Sequence, residues 1–389
     1  MQNNFDLSGK LCLSILKINL FNYPLLIQIA VIVSILAVIA IFLTLTYIIY
    51  NRTKRQSDQR KTYEAENQIL EELNDHLLMY DSIEEMPENE LQETVKILNE
   101  FKNRSIIFQN VLVRLLIYFK HNLTGNITRL ITATYFNLKL NEITLSKLKS
   151  VFWFTKAQGL KELQDINDYN SADTIQPLLV NKNLDVRVEA YAALLKLQTN
   201  SSFNFLKNEE EELSNWHQIL LFDAITKSEH AVVPNFADFL SSENKTIVIL
   251  SIKLLLHYKQ FEAIPDLIKL LSNKNEQLRS EAICALGVLD AEDAEQKLIS
   301  IYPTERNPNK TQILLALGEI ASGSALHFLK DKFLKADHYT ILKSAAAAIM
   351  SHPTALKEKI LASLKDLDEE QKAIIKHFED PLIRLHGVR

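Results

Sequence analysis

The sequence predicts an all-α protein in which a single N-terminal transmembrane helix is followed by an α-solenoid. Three observations predict this fold. Glycine and proline are scarce, with 7 and 9 residues among 389, whereas strands joined by tight turns need both residue types. Residues 25–50 form one uncharged apolar stretch. Similar strings then return about every 31 residues along the second half of the chain, a period typical of stacked helical repeats.

The apolar stretch is the first element. Its only polar interruptions are Gln28, Ser34, Thr44 and Thr46. A helix of about 26 residues is roughly 39 Å long, which exceeds a hydrocarbon core of about 30 Å. A cleaved signal peptide has an apolar region of only about 7–15 residues. We therefore predict a membrane-spanning helix over residues 25–50, preceded by a short extracytoplasmic N-terminus at 1–24.

Charges on either side of the span predict its orientation. The residues that follow it include Arg52, Lys54, Arg55, Arg60 and Lys61, and only two lysines precede it. Cytoplasmic flanks carry the excess of basic residues. The chain is thus predicted to be a single-pass protein of the cytoplasmic membrane, with its C-terminal bulk in the cytoplasm.

Two helical segments are predicted to link the span to the repeats. Residues 51–86 form a basic stop and a juxtamembrane helix, whose apolar stripe consists of Leu70, Leu73, Leu77 and Tyr80. Pro87 favours a new helix start, and residues 87–150 are predicted to form a helical N-terminal cap. The apolar run at 105–120 contains Arg114 and is too short for a second span, so we expect a buried helix there.

The repeats are predicted to cover residues 151–352 in about six units, with a helical C-terminal cap at 353–389. One column of small or apolar residues comprises Ala193, Ala224, Leu254, Ala285, Ala316 and Ala347. The next column comprises Leu194, Ile225, Leu255, Leu286, Leu317 and Ala348. Small residues allow helices to approach closely, and the apolar column fills the layer between units.

The string DVRVEAYAAL at 185–194 resembles the HEAT repeat, including bacterial repeats related to phycobilisome lyases. In that family an aspartate and an arginine tie adjacent turns together, and Asp185 and Arg187 match this pattern. Arg279 matches the arginine, but Gln277 stands where the acid is expected. The remaining units depart further, with Lys310, Val248 and Ile341 in the arginine column.

A second resemblance concerns the string LKSVFWFTKAQGLKEL at 148–163. Together with the single span, it is similar to a group of bacterial membrane-anchored HEAT-repeat proteins that are often encoded beside a family-2 glycosyltransferase. The resemblance implies an accessory role in a membrane polysaccharide system.

The sequence contains no motif that indicates catalysis or a bound cofactor. HExxH, CxxC, GxGxxG and GxxxxGK[ST] are all absent. Cys284 lies within an apolar helical string and is interpreted as a small core residue, and Trp153 and Trp216 are predicted to pack beneath the repeats. A net charge of -5 provides no basic field for nucleic acid. We predict no catalytic residue, no cofactor and no metal.

The predicted function is therefore a membrane-anchored scaffold that binds a membrane-associated protein partner and contacts the bilayer through residues 25–50. Seven candidate partner-binding residues lie on the second helices of the repeats: Arg187, Glu189, Arg279, Glu281, Lys310, Gln312 and Lys343. One alternative is a lyase-like repeat module that handles a chromophore or another ligand. Another is a single-span signalling relay, although about 24 residues before the span are too few for an external domain.

Overall fold

The computed structural model describes residues 24–197, 203–228, 232–365 and 367–380. Within these ranges every regular element is an α-helix or a 3-10 helix, and no strand occurs. The predicted all-α class is confirmed. The chain divides into two compact units, residues 1–140 and 141–389. The predictions for residues 1–23 lie outside the described ranges.

Nineteen α-helices occur in the described residues. Those of the first unit are α1 (Leu25–His76), α2 (Glu88–Arg104), α3 (Ile106–Asn122) and α4 (Ile127–Asn137), and α5 (Leu140–Lys147) begins at the boundary. The second unit continues with α6 (Trp153–Ile166), α7 (Ala172–Ile175), α8 (Leu184–Leu197), α9 (Asn204–Asn208), α10 (Asn215–Thr226), α11 (Lys245–Tyr258), α12 (Ile264–Leu270) and α13 (Glu276–Val288). It ends with α14 (Glu295–Ile301), α15 (Asn307–Ile320), α16 (Leu326–Leu334), α17 (Tyr339–Ser351), α18 (Thr354–Ala362) and α19 (Glu369–Glu379).

Helix α1 joins the predicted span and the juxtamembrane segment without a break. It is 52 residues long, and its sequence contains neither glycine nor proline, the residues that most disfavour a helix interior. The helix is long and apolar enough to cross a membrane by length and composition, and its apolar window is not buried within the chain.

The C-terminal part of α1 packs against α2 and α3. Its buried stripe is Ala65, Ile69 and Leu73, continued by Leu77 directly after the helix, and all four residues have no exposed surface. The i, i+4 spacing places these side chains on one face of the helix. This stripe differs from the predicted one, because Leu70 and Tyr80 are only half-buried. The predicted buried helix at 105–120 is confirmed, since α3 buries six apolar side chains.

In the second unit, the second helices of successive hairpins form a continuous row. Helices α6, α8, α10, α11, α13, α15 and α17 each pack against the next member, and each has 12–14 residues. The first helices are shorter, and several are 3-10 turns. We call this arrangement the second-helix row. It is the α-solenoid that the period predicts.

Small residues set the spacing of the row. A Cβ atom added at Gly318 on α15 would lie 2.5 Å from the Cα atom of Ala348 on α17. One unit earlier, a Cβ atom at Gly287 would lie 2.8 Å from the Cα atom of Ala316. The predicted apolar column, from Leu194 to Ala348, is buried throughout. Close backbone approach therefore explains the small residues at these four positions.

Candidate interaction surface

One stripe of each helix in the second-helix row remains uncovered. On α13 the stripe runs through Gln277, Glu281, Cys284 and Val288, which are exposed or half-buried. Their spacing of i, i+4, i+7 and i+11 places them on one side of the helix. Equivalent positions, about 31 residues apart along the chain, form similar stripes on α8, α10, α11, α15 and α17. We call these stripes, together with that of α13, the open face.

Four of the seven predicted binding residues lie on the open face, one in each of four units. They are Glu189, Glu281, Gln312 and Lys343, and they occupy equivalent helical positions. Lys343 is exposed, whereas the other three are half-buried against neighbouring helices. Their role in binding a partner stays a prediction.

Arg187 and Arg279 differ from their predicted outward position. The Arg187 guanidinium donates to the carbonyl oxygen of Asn181 at 2.8 Å and binds both carboxylate oxygens of Glu209 at 2.8 Å. Only 12% of its side chain and 4% of the Glu209 side chain are exposed. Glu209 directly follows α9, the first helix of the next unit, so this pair joins neighbouring units.

Arg279 repeats the same arrangement three units later. It donates to the carbonyl oxygen of Asn273 at 2.9 Å and to Glu305 Oε2 at 2.9 Å. The hydrogen bonds from Arg279 hold the pKa of Glu305 below its usual value, with a further contribution from Asn309. Both arginines therefore stabilise the solenoid and are turned away from the open face.

The remaining members of the arginine column use other contacts. Lys310 is half-buried, and its Nζ atom lies 5.5 Å from the centroid of the Tyr302 ring. Val248 and Ile341 are buried in the apolar core. Asp185 pairs with His217 of the next unit, with 2.9 Å between Oδ1 and Nε2.

Glu189 lies next to this pair on α8 and is half-buried. Its Oε2 atom is buried and has no hydrogen-bond partner within the described residues. Burial raises the pKa of Glu189 above its usual value, and the nearby Lys161 offsets part of this rise. In the ranges that the structure describes, no group of three or more His, Cys, Asp or Glu side chains is arranged to hold a metal ion.

The raised pKa of Glu189 predicts a pH-dependent stability. The folded chain binds a proton at Glu189 more tightly than the unfolded chain, so stability falls as the pH rises from the unfolded pKa through the folded one. We expect Glu189→Gln to raise the melting temperature at about pH 8, and this gain to shrink toward zero near pH 4. Thermal melts of the full-length protein in detergent micelles measure this gain in melting temperature. Asp223→Asn, which removes an exposed carboxylate on α10, is the control. A gain that does not depend on pH would contradict the assignment.

Cys284 links α13 to α15. Its Sγ atom donates to Gln312 Oε1 at 3.1 Å. Burial raises the pKa of the Cys284 thiol to about 11, and Glu281 and Glu319 add to the rise. The thiol is therefore protonated at neutral pH and unsuited to act as a nucleophile.

The prediction that both tryptophans pack beneath the repeats is wrong. Trp153 is 48% exposed and Trp216 is 66% exposed. Trp216 lies on the open face together with Ile219, which is 60% exposed. The buried side of α10 is formed by His217, Gln218, Leu221 and Ile225, on the opposite side of the helix. A helical wheel of this segment contains the signal, because it groups Trp216 with Ile219 and Asp223.

Comparisons with known proteins agree with this architecture. The HEAT repeat family matches residues 264–351, which cover α12 to α17 and less than a quarter of the chain. No match is found among curated proteins. The match and the stacked hairpins support a HEAT-repeat protein, a class that points to a scaffold for protein interactions rather than to an enzyme.

Two solved structures of engineered proteins from the Northeast Structural Genomics Consortium are also similar. The first is 13% identical with a TM-score of 0.34, and the match covers 85% of this chain and 96% of that chain. The second is 17% identical with a TM-score of 0.30, and the match covers 57% of this chain and 97% of that chain. Both TM-scores lie below 0.5, so these likenesses add nothing on function.

Proposed function

We propose that this protein is a membrane-anchored, non-enzymatic scaffold whose open face binds a protein partner in the cytoplasm. The observation that carries the proposal is the exposed pair Trp216 and Ile219 on α10. Large apolar side chains surrounded by polar groups are typical of the residues that dominate binding energy in protein interfaces. Val288 on α13 is a further exposed apolar residue of the open face, with 57% of its surface exposed.

Charges on the open face are mixed in sign. Asp223 lies on the same helix as Trp216, whereas Lys253 and His257 are exposed on the neighbouring α11. Glu319 is exposed on α15 and Lys343 on α17. A mixed pattern favours a protein partner with complementary charges, because a nucleic acid would require a predominantly basic surface.

The anchoring half of the proposal is supported by α1 and the basic residues that follow its apolar part. With the second unit in the cytoplasm, the scaffold would hold its partner beside the inner surface of the cytoplasmic membrane. A membrane glycosyltransferase is the partner class that the resemblance of residues 148–163 suggests.

Site-specific photocrosslinking tests the proposal in the full-length protein. A benzophenone amino acid at Ile219 is expected to give one discrete protein adduct in membranes. The same group at Phe261, which is 53% exposed but lies in a 3-10 turn outside the second-helix row, is the matched control. In right-side-out vesicles, external protease should leave the adduct intact.

Trp216→Ala should weaken partner binding by about 2 kcal/mol, roughly thirty-fold, without changing the helical content. Equal crosslinking from Ile219 and Phe261 would contradict a face-specific interaction. Cleavage of the second unit by external protease would contradict the proposed orientation.

A further inference from the structure

Four consecutive apolar residues at the start of the second unit are exposed to solvent. Val151 is 90% exposed, Phe152 59%, Trp153 48% and Phe154 56%. We call residues 151–154 the aromatic tip. An exposed apolar run of this kind marks an interaction site in a folded protein.

The tip is presented on a rigid base. Lys147 at the end of α5 donates to both carboxylate oxygens of Glu162 on α6, at 2.7 and 2.8 Å. This pair is largely buried, with 9% and 12% of the two side chains exposed. Gly159 lets the segments approach so closely that a Cβ atom there would lie 2.9 Å from Lys147 Cβ. The loop between α5 and α6 is therefore clamped at its base.

The aromatic rings also order one another. The rings of Phe152 and Phe154 stack with their centroids 5.5 Å apart, and Trp153 meets Phe154 edge-on at 6.2 Å. The backbone N–H of Phe152 donates to Ser150 Oγ at 3.1 Å. The rings are thus held outward in one arrangement, so little conformational entropy is lost when they are covered.

The charges that flank the tip within residues 143–161 of the chain are of one sign. From residue 143 to residue 161 the sequence contains four lysines and no acidic residue. Lys147 is paired with Glu162, whereas Lys149 is exposed and Lys156 half-exposed. Aromatic side chains flanked by lysines match the boundary between acyl chains and anionic headgroups, where tryptophan is enriched.

We propose that the aromatic tip inserts into the interfacial layer of an anionic lipid bilayer. The proposal rests on the anchoring half of the proposed function, because a span in the same chain keeps the tip at high effective concentration near the bilayer. Four side chains are also far fewer than the 20–30 residues per partner of a stable protein interface. The tip would thus be a second, reversible membrane contact for the second unit.

The two tryptophans of the chain provide the test, because the predicted span contains none. Full-length Trp216→Phe retains only Trp153, and Trp153→Phe retains only Trp216 as the matched exposed control. Both variants are reconstituted into nanodiscs of phosphatidylcholine and phosphatidylglycerol, with or without bromine on the acyl chains. Bromine should cause about a two-fold loss of Trp153 emission and leave Trp216 emission unchanged.

Two further variants in the Trp216→Phe background separate the contributions. Val151→Ser with Phe154→Ser should lower the quenching, as should Lys149→Glu with Lys156→Glu, while circular dichroism remains unchanged. Equal, weak quenching of both tryptophans would overturn the proposal. A Trp153 that is shielded from acrylamide but not quenched by bromine would mean that protein covers the tip, which also overturns it.

The anchoring is scored separately by co-elution of the chain with the discs. Co-elution without quenching of Trp153 refutes the tip and leaves the anchor intact. If the chain does not co-elute, the proposed anchor fails. Brominated vesicles added to the protein in detergent-free buffer then decide the tip alone, because quenching of Trp153 supports it and no quenching overturns it.

Discussion

Replacing Gly318 by alanine is expected to destabilise the second unit by about 2–3 kcal/mol, although alanine is the better helix former by about 1 kcal/mol. The added methyl group would lie 2.5 Å from the Cα atom and 2.8 Å from the Cβ atom of Ala348. Backbone atoms cannot rotate aside, so α15 and α17 must separate. Amide hydrogen exchange of the full-length protein should show faster exchange in both helices.

Two comparisons identify close approach as the cause. Combining Gly318→Ala with Ala348→Gly removes one of the two clashing atoms, so part of the lost stability should return. Gly125→Ala in the first unit meets no atom within 4 Å and carries only the strain of its positive φ of 87°. Unchanged or slower exchange in α15 after Gly318→Ala would show that the row is packed more loosely than we infer.

Replacing Arg279 by methionine is expected to cost about 3–4 kcal/mol. The change leaves Glu305, with 4% of its side chain exposed, as a buried carboxylate that has lost its cationic partner. It also removes the donor to the carbonyl oxygens of Asn273 and Lys274. Chemical denaturation of the full-length protein, followed by circular dichroism, measures the loss.

A neighbouring ion pair serves as the control. Arg306 pairs with Glu276 at 3.2 Å, and 81% of the Arg306 side chain is exposed. Arg306→Met should therefore change stability by less than about 1 kcal/mol. Adding Glu305→Leu to Arg279→Met should recover most of the loss, because no unpaired charge is then buried. Equal effects of Arg279→Met and Arg306→Met would refute the structural role of Arg279.

The all-helical class and the repeat spacing could be predicted because both depend on local features of the sequence. At Ala316 the recurring small column marks a close helix contact directly, because a Cβ atom at Gly287 would lie 2.8 Å from the Ala316 Cα atom. The continuity of α1 across residue 50 could also be predicted, because its sequence contains no glycine or proline.

The direction of individual side chains on the candidate surface could not be predicted in the same way. Arg187 and Glu189 are two residues apart, so the helix turns them to different sides, and the partner Glu209 lies in a turn with no fixed spacing. The prediction that Trp153 and Trp216 are buried is wrong because it relies on an average: large, apolar side chains are usually buried. Trp153 and Trp216, with 48% and 66% of their surfaces exposed, are exceptions to that average.

The bidentate arginine pairs have a mechanical consequence. The pairs of Arg187 with Glu209 and of Arg279 with Glu305 resist sliding and twisting, because their hydrogen bonds require fixed directions. At Val248 and Ile341 the same positions contribute apolar contacts, and such contacts lack directionality. The stiffness of the solenoid therefore differs from one joint between units to the next. The second-helix row is expected to bend first at the joint between α11 and α13, where Val248 stands in the arginine column, and last at the joints held by the two arginine pairs.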